Sequence, residues 1–219
     1  MNQSINKFNK ISLTLIFLTG WVALIGQLYL ILLNRKLSIP ETIIQYFSYF
    51  TILSNLLVTI ACTTLLLKPS STIGKFFSKP TTLTALTIYI TVVGLVYNIV
   101  LRFLWAPQGL QKLVDELLHS VTPLLFITYW YIYVSKSLLK WNHVYLWLVF
   151  PFIYCIYILV RGAITRLYPY PFIDVDILGY NTVFINITFL VAAFLFIGLL
   201  FIGIGKLSSK KHLKTNKLH

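Results

Sequence analysis

The sequence predicts an all-α polytopic membrane protein, six transmembrane helices in one bundle with both termini cytoplasmic. Six long apolar stretches fill the chain, at roughly Ile11–Leu33, Ile43–Leu67, Thr81–Leu104, Leu117–Val134, Val144–Val160 and Leu178–Ile204. Each is near the roughly 17–25 residues that a helix needs to cross the hydrocarbon core. Inside lipid every backbone amide must be paired within its own segment, so these stretches are expected to be helical. The 219 residues are 58% hydrophobic with a mean hydropathy of +0.83, which leaves no length for a separate soluble domain. The expected division is a short N-terminus (1–10), a six-helix transmembrane domain (11–205) and a basic tail (206–219).

Charge sets the orientation. Lys7 and Lys10, the second loop (Lys68, Lys75, Lys79), the fourth loop (Lys136, Lys140) and the tail (Lys206, Lys210, Lys211, Lys214, Lys217) hold twelve of the eighteen basic residues and no acid. The other side carries Arg35, Lys36, Arg102, Lys112, Arg161 and Arg166, with Glu41, Asp115, Glu116, Asp174 and Asp176. Cytoplasmic loops carry the Lys/Arg excess, which puts both termini inside a cell (plasma) membrane. In a soluble protein a net charge of +13 would suggest nucleic acid. Here the lysines serve as topology determinants and contacts for anionic lipid heads, so the expected partners are membrane lipids and not nucleic acid.

Each element has its local justification. The first stretch follows a basic segment, but its apolar run is too long for a signal peptide and no A-x-A-like site follows, so it should stay as a helix. Lys68-Pro69-Ser70-Ser71 and Ser78-Lys79-Pro80 frame the second loop, where proline stops one helix and opens the next. Trp105-Ala106-Pro107-Gln108-Gly109 is read as a turn at the outer surface. Trp141 and Trp147 flank the start of the fifth span at an expected interface, as amphipathic aromatics do. The run Tyr168-Pro169-Tyr170-Pro171-Phe172 should be extended or turning. The tail beyond Lys206 is expected to be disordered. Cys62 and Cys155 lie in different spans, and no Cys/His metal spacing exists, so no metal or cofactor is expected.

Polar residues inside the spans mark where chemistry belongs. Ser48, Thr51, Asn55 and Thr59 recur at helical spacing and form one stripe on the second span. Asp115, His119 and Thr122 share a face at the start of the fourth, just before Pro123. Asn98 and Arg102 close the third, and Tyr180, Asn181 and Asn186 open the sixth. Nearly all fall in the predicted outer half, and converging them gives a polar pocket open outward. Hydroxyl stripes also serve helix packing, and Arg102 can snorkel to headgroups. His119 is the one histidine inside a span, and an intramembrane ionisable group is a functional candidate by default. Asp115, one turn away, is placed to orient it. Thr51 lies at comparable depth, which suggests a Thr–His pair, with Asn55, Asn98 or Arg102 binding substrate and stabilising an oxyanion.

The runs Tyr49-Phe50-Thr51-Ile52-Leu53-Ser54-Asn55 and Leu117-Leu118-His119…Pro123 resemble the Pr6Pr group of bacterial six-span membrane proteins. That group is similar to the eukaryotic FAR-17a and androgen-induced-gene family. Trp105-x-Pro107-x-Gly109 and the Tyr168–Phe172 loop fit the same resemblance. Animal members are threonine hydrolases of fatty acid esters of hydroxy fatty acids. The resemblance therefore implies a nucleophile at Thr51 and a partner at His119. The leading expectation is a threonine-type hydrolase of a lipid-like (fatty acyl) ester, with Asp115 orienting His119. The alternative is a non-enzymatic membrane protein that binds or passes a small amphipathic ligand through the same pocket.

Overall fold

The computed structural model describes residues 7–104 and 106–215, without the side chains of residues 209–215. The protein is all-α and polytopic, and among the described residues five helices are long and apolar enough to cross a membrane: Lys7–Leu33, Phe50–Leu67, Pro80–Phe103, His143–Thr165 and Val175–Ser208. The chain forms two compact units, residues 1–135 and 136–219.

The first unit contains α1 (Lys7–Leu33), α2 (Ile39–Tyr46), α3 (Phe50–Leu67), α4 (Thr72–Phe77), α5 (Pro80–Ile99), α6 (Gly109–Glu116) and α7 (Thr122–Tyr133). α1 packs on α3, α3 on α5, α5 on α7, and α7 back on α1, closing a ring of four helices. Neighbours run antiparallel: Trp21 meets Thr63, Gln27 meets Gln111, and Trp130 meets Thr84. α1 buries Leu13, Ile16, Ala23 and Leu24 but exposes Leu15, Leu18, Val22 and Ile25. A helix apolar on both its packed and its open face suits a lipid surround rather than water.

The second apolar stretch is not one helix. Ser38 caps α2 in a reciprocal capping box with Glu41, and Pro40 sits in its first turn. The chain then breaks at Phe47–Tyr49, and α3 begins at Phe50. The fourth stretch differs too. α6 and α7 are joined without interruption by a π-helical turn, Leu117–Val121, so none of its three pieces alone has spanning length. Gly20 makes the α1–α3 contact close: a Cβ there would fall on the Thr59 hydroxyl. Gly94 does the same for α5, since a Cβ would stand 3.1 Å from the His119 main-chain oxygen.

The second unit contains α8 (His143–Trp147), α9 (Val149–Thr165) and α10 (Val175–Thr215). α9 ends on Arg166 in the left-handed region (φ 58°), and the Tyr168 ring occupies the space a Cβ on Gly162 would need. Pro171–Ile173 forms a 3-10 turn, and Asn186 donates to the Phe172 carbonyl at 2.8 Å, tying the loop to α10. α10 breaks at Gly179 (φ 73°), a conformation open to glycine. It then continues helical to Thr215, where the sequence suggests disorder beyond Lys206. Trp105 and residues 1–6 and 216–219 lie outside the described residues.

Candidate functional site around the His119 turn

The π-turn follows from Pro123. A helical proline has no N–H for the carbonyl four residues back, here that of His119. The Thr122 N–H reaches past Leu118 to the Leu117 oxygen. The Leu118 oxygen thus loses its α-register donor, and Pro123 offers none in the next register. In lipid, such freed carbonyls must find donors on neighbouring helices. Asn55 and Asn98 supply them.

Asn55, fully buried on α3, donates from Nδ2 to the Leu118 oxygen at 3.1 Å and to the Thr51 oxygen at 2.9 Å. Asn98 on α5 donates from Nδ2 to the His119 oxygen at 3.3 Å and to the Gly94 oxygen at 2.8 Å. Turning either amide over would set oxygen against carbonyl oxygens, so the carbonyls decide its orientation. Both protons of each NH2 group are thereby engaged. What Asn55 has left is an acceptor, Oδ1, and it is buried without a partner.

His119 stands at the centre of the π-turn and is partly buried. Its Nδ1 lies 2.8 Å from the main-chain oxygen of Asp115. A carbonyl only accepts, so Nδ1 carries a proton, and in the neutral ring the lone pair then lies on Nε2. The imidazole stacks on Tyr97 at 3.9 Å between ring centres, with the planes 11° apart. Arg102 is 5.4 Å from the same tyrosine ring. Arginine, tyrosine and histidine thus stack around one end of α5, and the ring's position is fixed from two directions.

The expected site residues sort as follows. Of the expected stripe, Thr51, Asn55 and Thr59 lie buried on α3. Ser48, also buried, falls in the break before that helix, so the four do not share one helix. The atom of Asp115 that meets Nδ1 is its main-chain oxygen, while its carboxylate accepts from Gln111 at 3.0 Å. Gln111 also donates to Gln27 on α1 at 2.9 Å. Arg102 pairs with Glu116 at 2.6 Å and donates to Ser120 at 3.4 Å, and Ser120 closes the triangle on Glu116 at 2.8 Å. Both partners of that pair are about a third or more exposed (41% and 32%), so it orders the rim more than it stabilises the fold. In the second unit, Tyr180 and Asn181 are exposed.

Tyr97, Gln27, Gln111, Glu116 and Ser120 are missing from the sequence-based set. Their signals were present: a glutamine inside an apolar stretch, a tyrosine beside Asn98, and Glu116 four residues before Ser120. Among the described residues no three His, Cys, Asp or Glu side chains gather to hold a metal. No family model, no curated protein and no solved structure matches the chain.

Proposed function

We propose that this multi-pass membrane protein binds a small amphipathic ligand at the His119 turn, in a six-span arrangement with the site facing outward. The observation that carries the reading is the imidazole held by the Asp115 oxygen and the Tyr97 ring, with Nε2 as its remaining polar atom. Such fixing is more than core packing requires. π-turns inside helices are often found at functional sites. An amphipathic ligand is favoured because the rim is charged (Arg102, Glu116), while Val121 and Leu124 beside it are exposed and apolar.

The second reading makes the same ligand a substrate, as resemblance to the Pr6Pr and FAR-17a groups implies. One Asn55 nitrogen touches the carbonyls of both Thr51 and Leu118, so the Thr51 turn abuts the His119 turn. In that reading Nε2 takes the Thr51 proton as the hydroxyl oxygen attacks the acyl carbon. The ester C–O bond then breaks, Nε2–H protonating the departing alcohol, and water, giving its proton through Nε2 back to threonine, later frees the acid from the acyl-threonine. The oxyanion would need donors other than the two asparagine amides, which are already engaged.

One experiment separates these readings. The protein in lipid nanodiscs is irradiated with a diazirine-bearing long-chain acyl ester, and the adducts are mapped. Binding predicts label in Thr51–Asn55, Tyr97–Arg102 or Asp115–Thr122, lost in His119→Ala, with the ester recovered intact. Hydrolysis predicts release of the free acid, abolished by Thr51→Ala. Label spread over lipid-facing residues such as Leu15 and Leu18, and insensitive to His119→Ala, would contradict both.

A further inference from the structure

Buried and half-buried hydroxyls in this bundle commonly bond back to the carbonyl four residues earlier: Thr63 to Thr59, Thr64 to Ile60, Thr84 to Pro80, Thr87 to Leu83 and Thr91 to Thr87, at 2.6 to 2.8 Å. That bond is the default for a helical threonine in lipid. Thr59, Thr122 and Ser54 forgo it, and all three are buried with a partnerless hydroxyl. Ser54 lies off the Asn55–Thr59 face of α3, so Thr59 and Thr122 are the two that concern that face. Asn55 Oδ1 is in the same position.

Asn55, Thr59 and Thr122 lie on turns of α3 and α7 that adjoin the Asn55–Leu118 contact. Thr59 is one turn from Asn55 on the same face of α3, and its hydroxyl fills the notch at Gly20 of α1. Asn55 docks on the Leu118 carbonyl. A helical carbonyl points along the axis toward the residue four further on, so that docking point lies beside Thr122. A buried polar group without a partner costs about 1–3 kcal/mol. Three such groups on adjoining turns call for a common partner.

We propose that the seam between α1, α3 and the π-turn is a built binding site for internal water, held by Asn55 Oδ1, Thr59 Oγ1 and Thr122 Oγ1. The chemistry selects the ligand. The amide oxygen needs a donor, and the two hydroxyls each bring a proton that needs an acceptor. Water answers both needs, and typically makes about three hydrogen bonds in such places. A cation would serve only the lone pairs and leave both hydroxyl protons unmet. The site lies one turn deeper than His119 and does not depend on the ligand proposed above.

The test is a thermal double-mutant cycle on the full chain in nanodiscs. Valine matches threonine in shape, so replacing a truly orphaned hydroxyl should stabilise the protein, whereas removing a leg of a water site should not. The site predicts that Thr59→Val and Thr122→Val each lower Tm by roughly 2–4 °C. Together they should lower it by less than the two losses combined, because they share one water cluster. Ordered solvent within hydrogen-bond distance of Asn55 Oδ1 is expected in a high-resolution experimental map. A rise in Tm with either valine, strictly additive losses, or a sodium-specific rise in Tm of the native protein would overturn the proposal. The solvent map decides the matter if either valine variant fails to fold.

Discussion

Asn55 donates its amide to the main-chain oxygen of Leu118 at 3.1 Å, the oxygen that Thr122 bypasses and Pro123 cannot serve. One side chain on α3 thereby completes the hydrogen bonding of another helix. It also fixes how deep the His119 turn sits against Thr51. The asparagine is structural and positioning at once.

Replacing it should therefore cost more than its packing. Asn55→Leu leaves the Leu118 oxygen unserved in a dry interior, at about 1–3 kcal/mol. Asn98→Ala should cost less, because its bond to His119 is longer at 3.3 Å and the residue is only partly buried. Thermal unfolding in nanodiscs checks the order. Equal stability of Asn55→Leu and the native protein would remove the argument for the carbonyl.

Close helix approach should be equally local. Gly20→Leu would drive its side chain into Thr59 and force α1 from α3, destabilising by about 1–3 kcal/mol. Gly203 has nothing within 4 Å of its would-be Cβ, so Gly203→Leu should change Tm by no more than a degree or two. Similar losses at both positions would show that the α1–α3 seam is not specially tight.

The α2 capping box gives a pH dependence outside the spans. Glu41 accepts from the Ser38 hydroxyl at 2.6 Å and from its amide at 3.2 Å, and these bonds hold the carboxyl below its ordinary value of 4.5. A depressed folded-state value means that the cap's contribution is fully present above the ordinary carboxyl pKa. It is lost as pH falls through the folded one. Amide protection over Ile39–Tyr46, measured relative to the intrinsic exchange rate at each pH, should thus fall on acidification below about pH 4.5, and Glu41→Gln should flatten that response. An unchanged pH profile in the variant would assign the acid sensitivity elsewhere.

Sequence showed the membrane character and the buried stripe because both rest on composition and period. It placed Asn55, Asn98 and His119 near one another for the same reason: polar groups in lipid turn inward. Division of the apolar stretches was harder to read. Ser38 and Pro40 start a short helix within what reads as a loop followed by a span, and hydropathy does not register the break at Phe47–Tyr49. Pro123 was visible, but whether a proline kinks a helix or widens it into a π-turn depends on which neighbours accept the freed carbonyls. The Asp115 contact was hidden for a related reason. Spacing of four puts either its carboxylate or its main-chain oxygen within reach of the imidazole, and only coordinates separate the two. The partners of Arg102 lie fourteen and eighteen residues away, beyond any helical period.

The state of the His119 imidazole tests the central claim most directly. Solid-state 15N spectra of the selectively labelled protein in bilayers, before and after addition of the long-chain acyl ester, report each ring nitrogen separately. The account predicts a protonated, hydrogen-bonded Nδ1 in both samples, and an Nε2 resonance that moves when the ester is added. A proton on Nε2 with a bare Nδ1 would contradict the bond to the Asp115 oxygen, and an Nε2 resonance indifferent to the ester would contradict the ligand site.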